Sequence, residues 1–178
     1  MKRFGGQATF IDRDDINTDE IIPAKYLTEI TKIALKPHLL EDLHLENQLF
    51  DPHADEIQNA NVLITRSNFG CGSSREHAVW ALEVNDINLV IGKSFARIFR
   101  QNMFNCGILA IELQQADLDI LFAMPGTITI SVDLEQETLT AISDAPKTEA
   151  HTSAFTLNGF DKKLVAAGGW LNFADQNY

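Results

Sequence analysis

Residues 70–77 (GCGSSREH) bring together the side chains of this chain that are best suited to chemistry. The two glycines allow the backbone to approach a ligand closely. Ser73 and Ser74 supply hydroxyl groups, and Arg75 supplies a planar guanidinium that can bind a carboxylate through two parallel hydrogen bonds. The residue types and their spacing therefore predict a receptor for a small carboxylate.

The same stretch predicts the start of a helix that runs from Ser73 to about Val84. The first N–H groups of a helix have no partner within the helix, and the helix dipole is positive at that end, so this position favours an anion. Ser73 and Glu76 also fit a capping box, in which each side chain caps the other's backbone N–H. Arg75 in the first turn opposes the helix dipole, which indicates an external anion. From these residues alone, anion binding and plain helix capping both remain open.

Several familiar catalytic motifs are absent from the sequence. The loop is not a phosphate-binding P-loop, it lacks the third glycine of a dinucleotide fingerprint, and it does not form a nucleophile elbow. Cys71 could be a thiolate at a helix start, but a cysteine nucleophile needs a positioned histidine, and we do not expect His77 to serve as one. Cys71 and Cys106 are the only cysteines, so we expect no zinc or iron–sulfur site in this chain.

The composition of the 178 residues is that of an ordinary globular protein, with 45% hydrophobic and 22% charged residues. A net charge of −11 argues against a nucleic-acid partner or binding to an anionic membrane. The amino terminus has no apolar signal-peptide core, and no apolar run approaches the length of a membrane span. We therefore expect a soluble, cytoplasmic protein.

The remaining sequence alternates between strand and helix patterns around this loop. Strands are predicted at 7–11, 61–66, 87–91, 108–113, 127–132 and 139–142, and helices at 24–34, 38–43, 73–84, from 94 onward, 117–124 and 155–167. The order of elements from 61 to 113 predicts parallel strands with right-handed crossovers, and the last two strands predict an antiparallel hairpin. The glycine loop would then lie at the carboxyl end of a strand, where open α/β sheets bind ligands. Residues 12–20 are predicted to be a polar loop, and residues 143–153 a surface linker.

Three motifs in order along the chain resemble those of the small subunit of 3-isopropylmalate dehydratase, which is the swivel domain of the aconitase superfamily. The motifs are 17–27 (NTDEIIPAKYL), 68–78 (NFGCGSSREHA), and 94–99 (SFARIF) followed by Asn102, Asn105 and Gly107. Residues 166–169 (AAGG) also resemble the end of that subunit, so the resemblance covers residues from about 7 to 172.

This resemblance implies a swivelling β/β/α domain over residues 1–178, with a mixed, partly parallel sheet and an antiparallel hairpin. The domain would dock onto a separate large subunit that carries a [4Fe–4S] cluster. The implied reaction is the dehydration and rehydration of a small 2-hydroxy di- or tricarboxylic acid. For leucine biosynthesis, the reaction interconverts 2-isopropylmalate and 3-isopropylmalate.

The resemblance also assigns roles to residues of the two longest motifs. Ser73 would be the catalytic base, acting as an alkoxide, and Asp19 would be an active-site aspartate. Arg75 would hold a substrate carboxylate, Ser74 would donate a hydrogen bond, and the backbone at Gly72 would approach the substrate. Helix capping remains the alternative role for Asp19.

The sequence departs from the family after Leu27, where many members carry an arginine that touches the variable group of the substrate. Lys32 is the candidate replacement, although an ammonium is a point charge and not a fork. A homoaconitase, an aconitase or a methylmalate (citraconate) hydratase therefore remains an alternative. A non-catalytic module that binds a carboxylate or a phosphate is the alternative from a different functional class.

Overall fold

The computed structural model of the chain describes residues 1–46 and 48–178. The strands are β1 (Gly5–Phe10), β2 (Val62–Ile64), β3 (Leu89–Gly92), β4 (Leu109–Glu112), β5 (Ile128–Asp133), β6 (Thr138–Ser143) and β7 (His151–Ala154). The helices are α1 (Thr18–Ile21), α2 (Asp55–Gln58), α3 (Glu76–Val84), α4 (Arg97–Asn105), α5 (Gln115–Ala123), α6 (Gly159–Ala167) and α7 (Trp170–Asn177). Two 3₁₀ helices cover Ala24–Tyr26 and Lys32–His38.

One mixed sheet of seven strands runs through the molecule in the order β4-β3-β2-β1-β5-β6-β7. Strands β1 to β4 pair in parallel, whereas β5, β6 and β7 pair antiparallel. β1 joins the two halves, because Gly5–Gln7 pair with β5 and Ala8–Phe10 pair with β2. The predicted α/β class, the partly parallel sheet and the antiparallel hairpin are confirmed.

The parallel half of the sheet contains the buried strands that lie closest to the glycine loop. All residues of β2 and β3 are buried, which is typical of central parallel strands covered on both faces. Helix α3 contributes Ala78, Val79, Ala81 and Leu82 to the same core, and all four are fully buried. The glycine loop is therefore followed by a helix that is anchored in the core from Ala78 onward.

Several predicted boundaries and elements are wrong. The helices predicted at 24–34 and 38–43 are replaced by the two 3₁₀ helices and turns, and Pro37 lies inside the second 3₁₀ helix. The predicted linker at 143–153 contains the start of β7, which pairs with β6. The helix predicted from residue 155 begins at Gly159, where the side chain of Asn158 caps it. It is not the last helix, because α7 follows Gly169.

No helix within the described residues combines the length and the apolar character needed to cross a bilayer.

Candidate functional site

The glycine–serine loop, defined as residues 70–75, leaves the carboxyl edge of the parallel strands shortly after β2. Its first part runs alongside the segment that leads into α1. The N–H of Gly70 donates to the carbonyl of Ile16 at 2.8 Å, and the N–H of Thr18 donates to the carbonyl of Cys71 at 3.0 Å. Two segments separated by more than fifty residues in sequence are thus joined as in a parallel ladder.

Helix α1 is closed by a capping box of its own. The side chain of Asn17 accepts from the N–H of Glu20 at 3.0 Å, and the carboxylate of Glu20 accepts from the N–H of Asn17 at 3.0 Å. Arg13 also donates to Glu20 at 2.5 Å. Burial alone would raise the pKa of Glu20, but the hydrogen bonds from Arg13 and from the Asn17 backbone outweigh it, so the pKa lies below its ordinary value. A charged Glu20 therefore stabilises the segment that carries Asp19.

The predicted start of α3 at Ser73 is wrong, because the helix begins at Glu76. Arg75 is the N-cap residue and has extended backbone dihedral angles, φ −139° and ψ 117°. No side chain caps the helix, so the predicted Ser73–Glu76 box is not formed. The carbonyl of Ser73 accepts a hydrogen bond from the hydroxyl of Thr18 at 2.8 Å instead. Contacts with Thr18 and Asp19 hold Ser73 and Arg75, and both serines precede the helix.

Arg75 forms an ion pair with Asp19, through Nη1 and Oδ1. The predicted alternative for Asp19, helix capping, is wrong, because Asn17 occupies that position. The sequence predicted an external anion at Arg75. In the structure, the Asp19 carboxylate already neutralises part of this guanidinium's charge. Among the described residues, the other two nitrogens of the guanidinium form no hydrogen bond, so Arg75 keeps an edge available for a second carboxylate.

Ser73 and Ser74 are exposed, and within the described part of the chain neither hydroxyl takes part in a hydrogen bond. The left-handed backbone of Gly70, φ 80°, and that of Gly72, φ 90°, allow the loop to turn here. A Cβ at Gly70 would lie 2.2 Å from the ring of Phe99, so only glycine fits. The structure therefore brings two free hydroxyls, Arg75 and Asp19 to one exposed edge.

Lys32 lies elsewhere. Its ammonium donates to Glu83 at 2.6 Å and lies 5.7 Å from the centre of the Trp80 ring. Glu83 is eight residues beyond Arg75, about 12 Å farther along α3. The structure thus groups Gly72, Ser73, Ser74, Arg75 and Asp19 but does not bring Lys32 to them.

The environments of the two cysteines and of His77 do not favour nucleophilic catalysis. Burial, followed by the charge of Asp15, raises the pKa of the Cys71 thiol. Burial raises the pKa of Cys106 to about 11. Nε2 of His77 lies 2.9 Å from the carbonyl of Glu29. Both thiols are therefore protonated at neutral pH. Separately, no group of three or more potential metal ligands occurs within residues 1–46 and 48–178.

Thr18 is the residue of this site that sequence reasoning missed. The residue is 1% exposed; its hydroxyl donates to the carbonyl of Ser73, and its backbone N–H donates to the carbonyl of Cys71. Its position beside Asp19 was the available signal, but spacing alone cannot show that a hydroxyl contacts a loop 55 residues away.

Comparison with known proteins defines the class first. Residues 1–116 match the family described as the aconitase C-terminal domain. A relative from Pseudoalteromonas translucida (strain TAC 125), the 3-isopropylmalate dehydratase small subunit, is 40% identical over 153 residues, which cover 80% of this chain and 76% of the relative. The crystal structure of 3-isopropylmalate dehydratase (leuD) from Methanocaldococcus jannaschii is similar with a TM-score of 0.71 and 29% identity, over 98% of this chain and 95% of that one.

The chain belongs to the aconitase C-terminal domain family and, within it, to the 3-isopropylmalate dehydratase small subunits. The resemblance seen in the three sequence motifs is therefore confirmed, as is the swivel-domain fold. The assignment to a hydro-lyase of this type is confirmed at the level of the family.

Proposed function

We propose that this chain supplies the proton-transferring and carboxylate-binding edge of a 3-isopropylmalate dehydratase. The observation that carries the proposal is the exposed edge of the glycine–serine loop, where two hydroxyls without a partner among the described residues lie beside the Arg75–Asp19 ion pair. Removal of a carbon-bound proton next to a carboxylate needs a base together with a cationic grip on that carboxylate. Both are present on this loop in one short stretch of chain.

In this proposal, Arg75 binds a substrate carboxylate through the guanidinium nitrogens that Asp19 leaves free. Asp19 orients the guanidinium, since the ion pair fixes one end of the fork. The Arg75 side chain is 20% exposed, so burial restricts its motion in addition to the ion pair. Ser74 donates a further hydrogen bond to the substrate, and the backbone at Gly72 leaves room for close approach.

Ser73 accepts the carbon-bound proton in this scheme. A serine hydroxyl is a very weak acid, so its anion requires nearby positive charge and exclusion of water. Arg75 supplies the charge, and closure against a second protein would exclude the water. The proton leaves as the C–H bond breaks, its electron pair forms the double bond, and hydroxide departs from the neighbouring carbon. The sum is loss of one water, and re-addition in the opposite sense gives the isomer.

We further propose that the chain acts as one swivel domain, residues 1–178, on a large subunit that carries a [4Fe–4S] cluster. This chain could not hold such a cluster itself, because it has only two cysteines, both with raised pKa. When bound to its own subunit, the cluster supplies Lewis-acid chemistry for the departing hydroxyl. The acidic surface of this chain suits a partner face with basic side chains.

The segment after Leu27 supports an isopropyl-bearing substrate over a tricarboxylic one. Lys32 is paired with Glu83, so its charge is not free for a third carboxylate. Ile30 and Ile33 are instead 92% and 65% exposed. The carbonyl of Glu29 contacts His77, which holds this segment near the start of α3. We propose that Ile30, next to Glu29 on this segment, contacts the variable group of the substrate, and its apolar side chain favours an aliphatic group.

The test is to express the chain with candidate large subunits in the absence of oxygen. The reconstituted pair is then assayed for unsaturated product from 3-isopropylmalate, homocitrate, citrate and a methylmalate. We expect 3-isopropylmalate to have the highest kcat/KM and the isolated chain to be inactive. Tight carboxylate binding by the isolated chain, without association with any cluster protein, would instead favour a binding module.

A further inference from the structure

The hydroxyl of Thr18 contacts the backbone of the glycine–serine loop. The Thr18 side chain is buried and donates to the carbonyl of Ser73 at 2.8 Å, while its own N–H donates to Cys71. Helix α1 does not need this hydroxyl for its own capping, because Asn17 and Glu20 already cap it. The hydroxyl therefore serves the loop rather than the helix that carries it.

The contact acts on a particular part of the loop. The Ser73 carbonyl belongs to the peptide plane that joins Ser73 to Ser74, so fixing its oxygen restricts the backbone torsions on both sides of that plane. Both serines are exposed, and within the described residues no other side chain bonds to this peptide. Arg75, by contrast, is fixed separately by Asp19.

We propose that Thr18 is a positioning residue, which aims the Ser73 hydroxyl through the Ser73 carbonyl. The inference rests on the proposed role of Ser73 as base. Thr18 does not touch substrate in this scheme. The buried Thr18 hydroxyl holds the loop in place before substrate binds. The loop then loses less conformational entropy on reaching the reactive geometry.

This arrangement predicts a separation between kcat and KM. Replacing Thr18 by valine keeps the shape of the side chain and removes the hydroxyl, so Ser73 loses its alignment while the Asp19–Arg75 grip remains. Thr18→Val should lower kcat by about 10- to 100-fold, since a small misplacement of a reacting group has an effect of this size. KM should change by less than about twofold, because uniform binding is retained.

The experiment measures kcat and KM of the complex reconstituted from this chain and its cluster-bearing subunit, with 3-isopropylmalate, for four variants. Thr18→Val removes the hydroxyl, and Thr18→Ser retains it and should restore most of kcat. Thr65→Val is the matched control, because Thr65 is equally buried and its hydroxyl donates to the carbonyl of Arg13 at 3.3 Å. It should leave kcat near the wild-type value. Ser73→Ala tests the underlying role of Ser73.

A second readout uses the isolated chain without any turnover. Amide hydrogen exchange of a peptide covering residues 71–75 should accelerate in Thr18→Val, and a peptide covering α6 should be unchanged. If Thr18→Val retains full kcat while Ser73→Ala is inactive, the positioning role is overturned and the proposed function stands. If Ser73→Ala is fully active, both are overturned. A loss of kcat in Thr18→Val that Thr18→Ser does not restore would also contradict the inference.

Discussion

Two clusters in this molecule contain similar chemical groups, yet they differ in their serine, which is exposed in one cluster and buried in the other. At the parallel half of the sheet, Ser73 and Arg75 lie beside Asp19 on an exposed loop. At the antiparallel half, Ser153 and His151 lie beside Asp117, 3.1 and 2.9 Å from its carboxylate.

The difference lies in the serine hydroxyl. Ser153 is 3% exposed and its hydroxyl is within 3.1 Å of both Asp117 and His151. These contacts join β7 to α5 and leave the serine hydroxyl of this cluster buried and bonded. The Ser73 hydroxyl and two guanidinium nitrogens of Arg75 have no partner within the described residues. Residue types alone therefore do not distinguish the two clusters, whereas the exposure and the bonding of the serine hydroxyl do.

The strongest test of this comparison is to remove the hydroxyl from each cluster. Ser73→Ala should lower kcat of the reconstituted complex by about 10²- to 10⁴-fold, the range for loss of a general base, with little change in Tm. Ser153→Ala should leave kcat unchanged and lower the free energy of unfolding by about 1 kcal/mol, because buried hydrogen bonds are lost. Steady-state kinetics and urea unfolding measure the two effects. The reverse pattern would show that the cluster of Ser153, His151 and Asp117 is the functional one.

A second test compares two arginines with different tasks. Arg75→Lys should raise KM by about tenfold, since an ammonium cannot hold a carboxylate at two points. Arg66 forms ion pairs with Asp12 and Asp119, with its guanidinium 3.8 Å from the centre of the Phe122 ring. Arg66→Lys should therefore lower Tm and leave KM unchanged. Equal KM values for wild type and Arg75→Lys would remove Arg75 from the site.

A third test uses the pH dependence of stability that Glu20 contributes beside Asp19. Because the folded-state pKa of Glu20 is lowered, its charge stabilises the fold above its unfolded pKa, and this contribution is lost as the pH falls through the folded pKa. Wild type should be more stable than Glu20→Gln at pH 6, and the gap should close below about pH 4. Urea unfolding of both proteins across this range provides the measurement. A gap that widens in acid would contradict the assigned direction.

The smallest expected effect concerns the thiols. Cys106 should react with iodoacetamide along a curve whose midpoint is near pH 11, because its pKa is about 11 and only the thiolate reacts. The measurement uses Cys71→Ser, in which Cys106 is the only thiol. A midpoint near the ordinary value of about 8.5 would show that Cys106 is less buried than described.

Much of the architecture could be predicted because its signals are local. The buried strands β2 and β3 and the hairpin of β5 and β6 follow from short apolar or alternating runs bounded by turn residues. β7 was missed because its sequence, HTSA, has little strand character and is stabilised by pairing with β6. Helix α7 was missed because Gly168 and Gly169 indicate a helix end, and no side chain among the described residues caps the short helix that follows them.

The proximity of Asp19 to residues 72–75 could be predicted from the sequence, but the geometry of these residues and the position of Lys32 could not. Ser73 and Glu76 match a capping box locally, yet the box that forms is Asn17–Glu20. The deciding contacts, from Thr18 to Ser73 and from Asp19 to Arg75, connect segments that are more than fifty residues apart. Such contacts depend on the packing of the whole parallel half, which residue spacing does not encode.

The central claim, that Ser73 takes the carbon-bound proton at this exposed edge, is tested most directly by isotope exchange. The reconstituted complex is incubated with 3-isopropylmalate in deuterated water, and deuterium in the recovered substrate is measured for wild type and Ser73→Ala at saturating substrate. Our account predicts steady incorporation by wild type and loss of incorporation in Ser73→Ala, with substrate binding retained. Incorporation by Ser73→Ala at the wild-type rate would contradict it.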